Sequence, residues 1–251
     1  RSVWYRGPGA FVLPSRLSPT ERHWATTESR LGLGGVLTSL PALWINHPGR
    51  NADASYKPVQ LVTAVRCGLR VAETLVTNDA AAVVGFARRG ETVAKALGAP
   101  SVRERGRRQV ALTHLLDEAD LADLRGVEVA AHQFQRWVPK SYEARVIVVG
   151  QRLFAAGIHA RSAQTRLDWR NDYSALRYEP VDPPAHVVAG VRAYCAAFGL
   201  VYGAFDFVIR PDGEWVFLEC NAGGQYGWIE KAIGAPITEA LADLLERGSA
   251  E

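Results

Sequence analysis

The sequence predicts an α+β fold built on antiparallel sheets. Two apolar strand pairs are joined by tight-turn residues, in "YEARVIVVGQRLFAAGI" around Gly150-Gln151 and in "FDFVIRPDGEWVFLECN" around residues 210–213. Helical patterns fall between these hairpins irregularly, without βαβ alternation. No internal repeat or low-complexity tract interrupts the chain.

Residues 1–56 are rich in Gly, Pro and Trp, and "TERHWATTESRLGLGGVLTSL" reads as helical with a break at its glycines. "YKPVQLVTAVRCGL" places Leu61, Ala64, Val65 and Leu69 on one helical face, with Gly68 near the stop. "ETLVT" reads as a short strand, and "NDAAAVVGFARRG" as a helix capped by Asn78 and stopped at Gly90. "ETVAKAL" and "RQVALTHL" read as two strands joined by "GAPSVRERG". A brief helix "DEADLADL" and a strand "HQFQRWV" follow. Past the first hairpin, a long helix from Pro184 to Phe198 turns Val187, Val191, Tyr194 and Phe198 inward and ends at Gly199. The second hairpin comes next, and "PITEALADLLE" closes the chain as an amphipathic helix.

Bulk properties narrow the function classes. At 251 residues the chain can bury a core in one large or two modest domains. Its 48% hydrophobic and 22% charged residues are those of a globular protein, and a net charge of +3 suits an anionic small ligand as well as nucleic acid. Cys67, Cys195 and Cys220 form no disulfide framework or zinc spacing, so a reducing cytoplasm is expected. The longest uncharged run, 31–46, is too short and too broken by Gly and Pro to span a bilayer, and no export signal opens the chain. Having no methionine, the sequence is expected to lack its translation start.

The second hairpin raises the chemical question. With a turn at 210–213, Ile209 is expected opposite Glu214, and Asp206 opposite Phe217. Alternation then puts Asp206, Phe217, Glu219 and Asn221 on one face, and Phe205, Phe207, Val216, Leu218 and Cys220 on the other. Two carboxylates beside an amide suit Mg²⁺ that also binds phosphate oxygens. An exposed carboxylate face near a sheet end accounts for these residues equally well.

Other residues carry similar double readings. Lys95 interrupts the apolar strand "TVAKAL", either to meet an anion or as a lysine snorkelling on a solvent face. Arg103, Arg105, Arg107 and Arg108 around Gly106 form either a loop closing over phosphates or a solvated surface loop. Trp137 and Val138 end a strand at Pro139, suiting a purine slot or plain core packing. Asp168-Trp169-Arg170 is a binding loop or a surface ion pair. No Walker-type loop, GxGxxG, GxSxG or histidine ligand spacing occurs, and no basic helix or RNP-like strand argues for nucleic acid.

In this order, a strand lysine, a Gln-x-Trp-Val strand, a strand arginine, then Asp and Glu-x-Asn on a hairpin resemble the ATP-grasp ligases. Within them the chain is similar to the graspetide (ω-ester peptide) synthetases, maturases of ribosomal peptides. The similarity runs from "SVWYRGP" and "WINHP" through "QRWVPKSYEARV" to "GLVYGAFDFVIRPDGEWVFLECNAGGQYGWIE", nearly the whole chain; those last two blocks are its specific parts.

The resemblance implies two subdomains whose antiparallel sheets sandwich ATP: an N-terminal helical segment over 1–72, a lid over 73–138 and a metal-bearing subdomain over 139–251. It implies that Lys95 and Lys57 serve the nucleotide. Gln135, Arg136, Trp137 and Val138 would form the adenine hinge. Arg145, with Asp168 and Arg170, would serve the chemistry, and Asp206, Glu219 and Asn221 would hold Mg²⁺. The implied partner is a ribosomal precursor peptide with a leader and a core containing Thr/Ser and Asp/Glu, with neither nucleic acid nor membrane involved and a homodimer left open. Its Asp or Glu side chains would be phosphorylated and captured by Ser/Thr hydroxyls. The alternatives are an ATP-grasp ligase making ordinary amides, a non-catalytic nucleotide- or peptide-binding module, and a metal-dependent hydrolase. Two departures stand out. The family has a further segment of about 60–80 residues before "SVW", so the chain is expected to be a fragment. Ala222 stands where proline is commoner, which should alter loop stiffness more than ligation.

Overall fold

The computed structural model describes residues 1–98, 101–104, 107–110, 113–161 and 175–249, with backbone alone for 101–104 and 107–110. The chain opens with β1 (Ser2–Trp4), α1 (Pro19–Thr38) and β2 (Leu43–Ile45), the two strands pairing in parallel. Then come α2 (Pro48–Asp53), α3 (Lys57–Arg66), β3 (Arg70–Val71), β4 (Thr74–Thr77), α4 (Ala80–Ala87) and β5 (Thr92–Lys95). A hairpin of β6 (Ser101–Glu104) and β7 (Arg107–Val110) precedes β8 (His114–Leu115), α5 (Glu118–Ala122) and β9 (His132–Arg136). The remainder is β10 (Tyr142–Val149), β11 (Arg152–Ala160), β12 (Leu176–Pro180), α6 (Ala185–Phe198), β13 (Tyr202–Ile209), β14 (Trp215–Asn221), α7 (Gly227–Ile233) and α8 (Ile237–Arg247).

Two sheets dominate. One has four antiparallel strands in the order β4-β9-β5-β8. Its outer face packs Phe134 against Val83 and Phe86 of α4 and Val127 of the turn before β9. The other has six strands in the order β12-β11-β10-β13-β14-β3, antiparallel except for β14 with β3. One face packs Phe205, Phe207 and Phe217 on Val187, Val191, Tyr194 and Phe198 of α6 and on Leu61 and Ala64 of α3. The opposite face is covered near β10 and the start of β13 by Ile229 of α7 and by Ile237, Leu241 and Leu244 of α8. Burying a large apolar side chain contributes about 1.5–3 kcal/mol, and this central sheet does so on both faces. Among the described residues no helix is long and apolar enough to cross a membrane.

Several expectations hold in detail. The turn at Gly150-Gln151 joins Val149 to its partner Arg152, with Gly150 at φ 56°. Gly199, at φ 63°, ends α6. Others are corrected. The helix over 19–38 runs through Gly32, Gly34 and Gly35 unbroken, started by a Ser18–Glu21 capping box. Asp79, not Asn78, caps α4, its side chain accepting from the Ala81 N–H. "RQVALTHL" is divided between β7 and β8, because only His114 and Leu115 return to pair with β5.

The register of the second hairpin is also corrected. Arg210 N–H donates to Glu214 O and Gly213 N–H to Arg210 O, so the turn closes one residue later than expected. Ile209 faces Trp215, and Phe207 faces Phe217. Between Asp206 and Phe207 the register shifts again, leaving Leu218 as an extra residue in β14 and pairing Asp206 with Glu219. Phe217 therefore lies in the apolar core, while Val216 and Leu218 pack with Val208 and Val138 on the opposite side.

Candidate active site

A cleft of about 870 Å³ lies between the two sheets. The four-stranded sheet lines it with Val93 and Lys95 of β5 and Gln133 and Gln135 of β9, residues that pair Val93 with Gln135 and Lys95 with Gln133. The six-stranded sheet contributes Glu143 and Arg145 of β10, Asp206 and Val208 of β13, and Leu218, Glu219 and Asn221 of β14. Lys57, at the start of α3, closes one side.

The charged floor is a row across three strands. Arg145 and Asp206 are register partners joined by two parallel hydrogen bonds, Nε to Oδ1 and Nη2 to Oδ2, each 2.8 Å. Both are more than nine-tenths buried, and such bidentate pairs have a fixed orientation. Burial works against the guanidinium charge, but Asp206 and Glu219 more than offset it, so the Arg145 pKa is raised. The Arg145 guanidinium also sits 5.4 Å from the centroid of the Trp228 ring. Glu219, the next partner in the row, takes the Lys57 ammonium at 3.0 Å. The same ammonium donates to Ala96 O at 2.8 Å, so Lys57 ties the end of β5 to β14.

The opposite wall holds Lys95. Its ammonium donates to Gln135 Oε1 at 2.7 Å, and Gln135 Nε2 donates to Thr74 Oγ1 at 3.0 Å. Burial brings the Lys95 pKa down to about 8, opposed by Glu219 and assisted by Lys57. Gln133 is 3% exposed, and its Oε1 has no hydrogen-bond partner among the described residues.

At the other end of the cleft, Val138 packs with Ala72, Val208, Val216 and Leu218 to form an apolar slot beside Trp137. Arg136, expected among the hinge residues, sends its side chain away from this slot. It donates to Thr92 Oγ1 and Phe86 O and lies 4.2 Å from the Phe86 ring centroid. Its backbone stays at the cleft edge, with its N–H given to Glu73 O.

The structure thus brings Lys57, Lys95, Gln135, Arg136, Trp137, Val138, Arg145, Asp206, Glu219 and Asn221 to one cleft. Asp168 and Arg170 lie outside the described residues, as do Arg105 and Gly106 of the basic loop. Among the described residues, no group of three or more His, Cys, Asp or Glu gathers anywhere. The donor set on offer is two cross-strand carboxylates and the Asn221 amide, hard oxygens that fit Mg²⁺ and not a thiolate- or imidazole-seeking metal.

Sequence reasoning missed two residues that position β14. Asn46, 1% exposed, donates to Tyr202 O and Ala222 O and accepts from the N–H groups of Val201 and Tyr202. Gln60 accepts from Cys220 N–H and donates to Cys220 O, supplying both bonds a neighbouring strand would give. Both stand as single amides inside apolar runs, "WINHP" and "KPVQLV". A lone amide in such a run needs buried partners, and that signal was available.

Comparison with solved structures follows the same lines. No protein-family profile and no curated protein sequence matches the chain. The macrocyclase MdnB from Microcystis aeruginosa MRC is 30% identical over 98% of this chain and 76% of its own, with a TM-score of 0.78. The chain belongs to the graspetide maturases, the RiPP-associated ATP-grasp ligases. Macrocyclase MdnC of the same organism, solved with its precursor peptide MdnA, is 29% identical over 99% of this chain and 79% of its own, with a TM-score of 0.86. A RiPP-associated ATP-grasp ligase from Chryseobacterium gregarium, solved with ADP and a leader and core peptide, is 27% identical over 99% and 77%, with a TM-score of 0.88. The facing antiparallel sheets of this graspetide maturase are accordingly the ATP-grasp arrangement.

Proposed function

We propose that this graspetide maturase is an ADP-forming ligase that uses ATP and Mg²⁺ to close side-chain macrolactones in a ribosomal precursor peptide. The observation that carries the reading is the row Arg145–Asp206–Glu219 facing Lys95 across the cleft. Cations and hard oxygen ligands converge there from both sheets, as phosphoryl transfer requires.

Adenine is assigned to the slot formed by Val138, Val208 and Leu218, with the backbone of 135–138 as its hydrogen-bonding edge. Lys95 and Lys57 serve the phosphates. Asp206, Glu219 and Asn221 would hold Mg²⁺, which would offset phosphate charge. A carboxylate oxygen of a peptide Asp or Glu attacks the γ-phosphorus, and the bond to the ADP oxygen breaks. A Ser or Thr hydroxyl oxygen then attacks the acyl carbon; phosphate leaves and the hydroxyl proton passes to solvent or phosphate. Arg145 is positioned to steady charge on the reacting groups, and Asp168 and Arg170 are assigned to the same step. Segment 73–138 is the lid over 139–251, shielding the activated carboxyl from water, with 1–72 as the N-terminal helical part. The three scattered cysteines fit a cytoplasmic location.

Incubating the chain with ATP, Mg²⁺, free glutamate and an acidic, Thr-containing peptide tests this. Loss of one water per link together with ADP release is expected. ADP release with a gain in mass would instead establish the ordinary amide ligase. Absence of peptide-dependent ADP release would leave only a binding module. Arg170→Ala is expected to stop ring closure; unchanged closure removes Arg170 from the chemistry.

A further inference from the structure

Two glutamines of β9, Gln133 and Gln135, line the same cleft, and their amides fare differently. Gln135 accepts from Lys95 Nζ at 2.7 Å and donates to Thr74 Oγ1 at 3.0 Å. Gln133 is 3% exposed, yet its Oε1 has no hydrogen-bond partner among the described residues. Its cross-strand neighbours do not supply one: the Lys95 ammonium is given to Gln135, and Val76 on the other side is apolar. A buried acceptor left in this way costs stability, whereas an apolar side chain of similar shape would not.

We propose that Gln133 is a positioning residue for the attacking Ser or Thr hydroxyl in the second half of the reaction, its Oε1 accepting the O–H hydrogen bond. This assignment rests on the ligase reading above. Ionised phosphates bring only acceptors to the cleft. The donors of adenine and ribose belong to its other end, since Gln133 lies four residues before Trp137, about 13 Å in extended chain. The remaining donors are those of the peptide. Lys95 is the direct cross-strand partner of Gln133, which sets their Cβ atoms about 5 Å apart. A hydroxyl held by Gln133 therefore stands beside a phosphate held by Lys95, which is where the acyl carbon lies once the carboxyl has taken the phosphoryl group. The terminal amide has a broad last torsion, so Oε1 can turn to the cleft that its residue lines. With its hydrogen on Oε1, the hydroxyl aims an oxygen lone pair at the acyl carbon. The ester C–O bond forms, the acyl C–O bond to phosphate breaks, and the hydroxyl proton passes to the departing phosphate. Gln133 keeps its own protonation state throughout.

The test counts ester links formed per ADP released, using the chain, ATP, Mg²⁺ and a synthetic peptide of alternating Thr and Glu. Gln133→Leu and Gln133→Met are each expected to cut that ratio at least fivefold while ADP release stays within threefold, because the activated carboxyl forms and is then lost to water. Hydroxylamine added to these variants should capture that carboxyl as a hydroxamate, its nitrogen displacing phosphate. Their Tm should equal or exceed that of the parent, the reverse of what a structural glutamine gives. Gln133→Glu, which keeps an acceptor in place, is expected to restore at least half of the ratio. A ratio within twofold of the parent in both apolar variants overturns the inference and leaves the ligase reading intact. It does so equally when peptide KM rises, which assigns Gln133 to the peptide backbone, and when ADP release and closure fall together, which assigns it to the nucleotide or to the fold. A parent chain that releases no ADP with this peptide overturns the ligase reading, and the role of Gln133 with it.

Discussion

Asp206 and Glu219 are direct cross-strand partners because Leu218 is an extra residue in β14. Strict alternation after Phe217, which is in the core, would send Glu219 to the core side and Cys220 to the cleft. The bulge instead lets two consecutive residues serve the cleft: Leu218 in the apolar slot and Glu219 in the charged row. Phase recovers at Cys220, which is buried in the core. One irregular residue thus allows a single strand to present both an apolar and a charged surface to the cleft, the two surfaces proposed above for adenine and phosphate.

Glu219→Gln keeps the size of a side chain that is 20% exposed and removes the carboxylate charge that faces the Lys57 ammonium at 3.0 Å. Turnover is expected to fall about 100-fold or more, with Mg²⁺ dependence weakened and little change in Tm. Peptide-dependent ADP release across a Mg²⁺ titration, together with a melting curve, checks this. Full activity would take Glu219 out of the metal site.

Lys95 gives a pH dependence with a definite sign. With its pKa brought down from 10.5 to about 8, it is an ammonium at neutral pH and loses its proton as pH rises through about 8. ATP affinity by calorimetry should fall above that pH, and Lys95→Ala should be weak and flat throughout. For stability the sign is opposite. Between about 8 and 10.5 the unfolded lysine binds more protons than the folded one, so this residue's contribution to folding improves as pH rises across that interval. Below it, burial of the charge opposes folding in full.

Gln135→Leu removes the acceptor that holds the Lys95 ammonium and the donor to Thr74. A stability loss of about 1–3 kcal/mol is expected. ATP affinity should drop by about tenfold, corresponding to about 1.4 kcal/mol. Gln135→Glu should preserve stability better, yet hold Lys95 away from phosphate. Equal ATP affinity in all three proteins would show that Gln135 does not position Lys95.

Asn46→Ala strands the N–H groups of Val201 and Tyr202 and the carbonyls of Tyr202 and Ala222. The expected cost is about 2–4 kcal/mol, read as a lower midpoint in denaturant. Because these groups start β13 and follow β14, activity should decline more steeply with temperature than in the parent.

The sequence by itself determined the element types, the two main hairpins and the chemical inventory. Apolar periodicity, turn residues and helix stops are local properties, which is why α6 and the Gly150 turn were legible residue by residue. Isolated polar side chains inside apolar strands, such as Lys95 and Asp206, announced themselves for the same reason. Only the tertiary structure decided which of them meet. The bulge at Leu218 is a register event between two strands, and no alternation pattern within one strand encodes it. The turn over Arg136 toward Phe86, the ties of Lys57 to β14 and β5, and the amide clamps of Asn46 and Gln60 all join positions distant along the chain. A buried polar group must find its partner wherever packing brings one, and packing is a property of the whole fold.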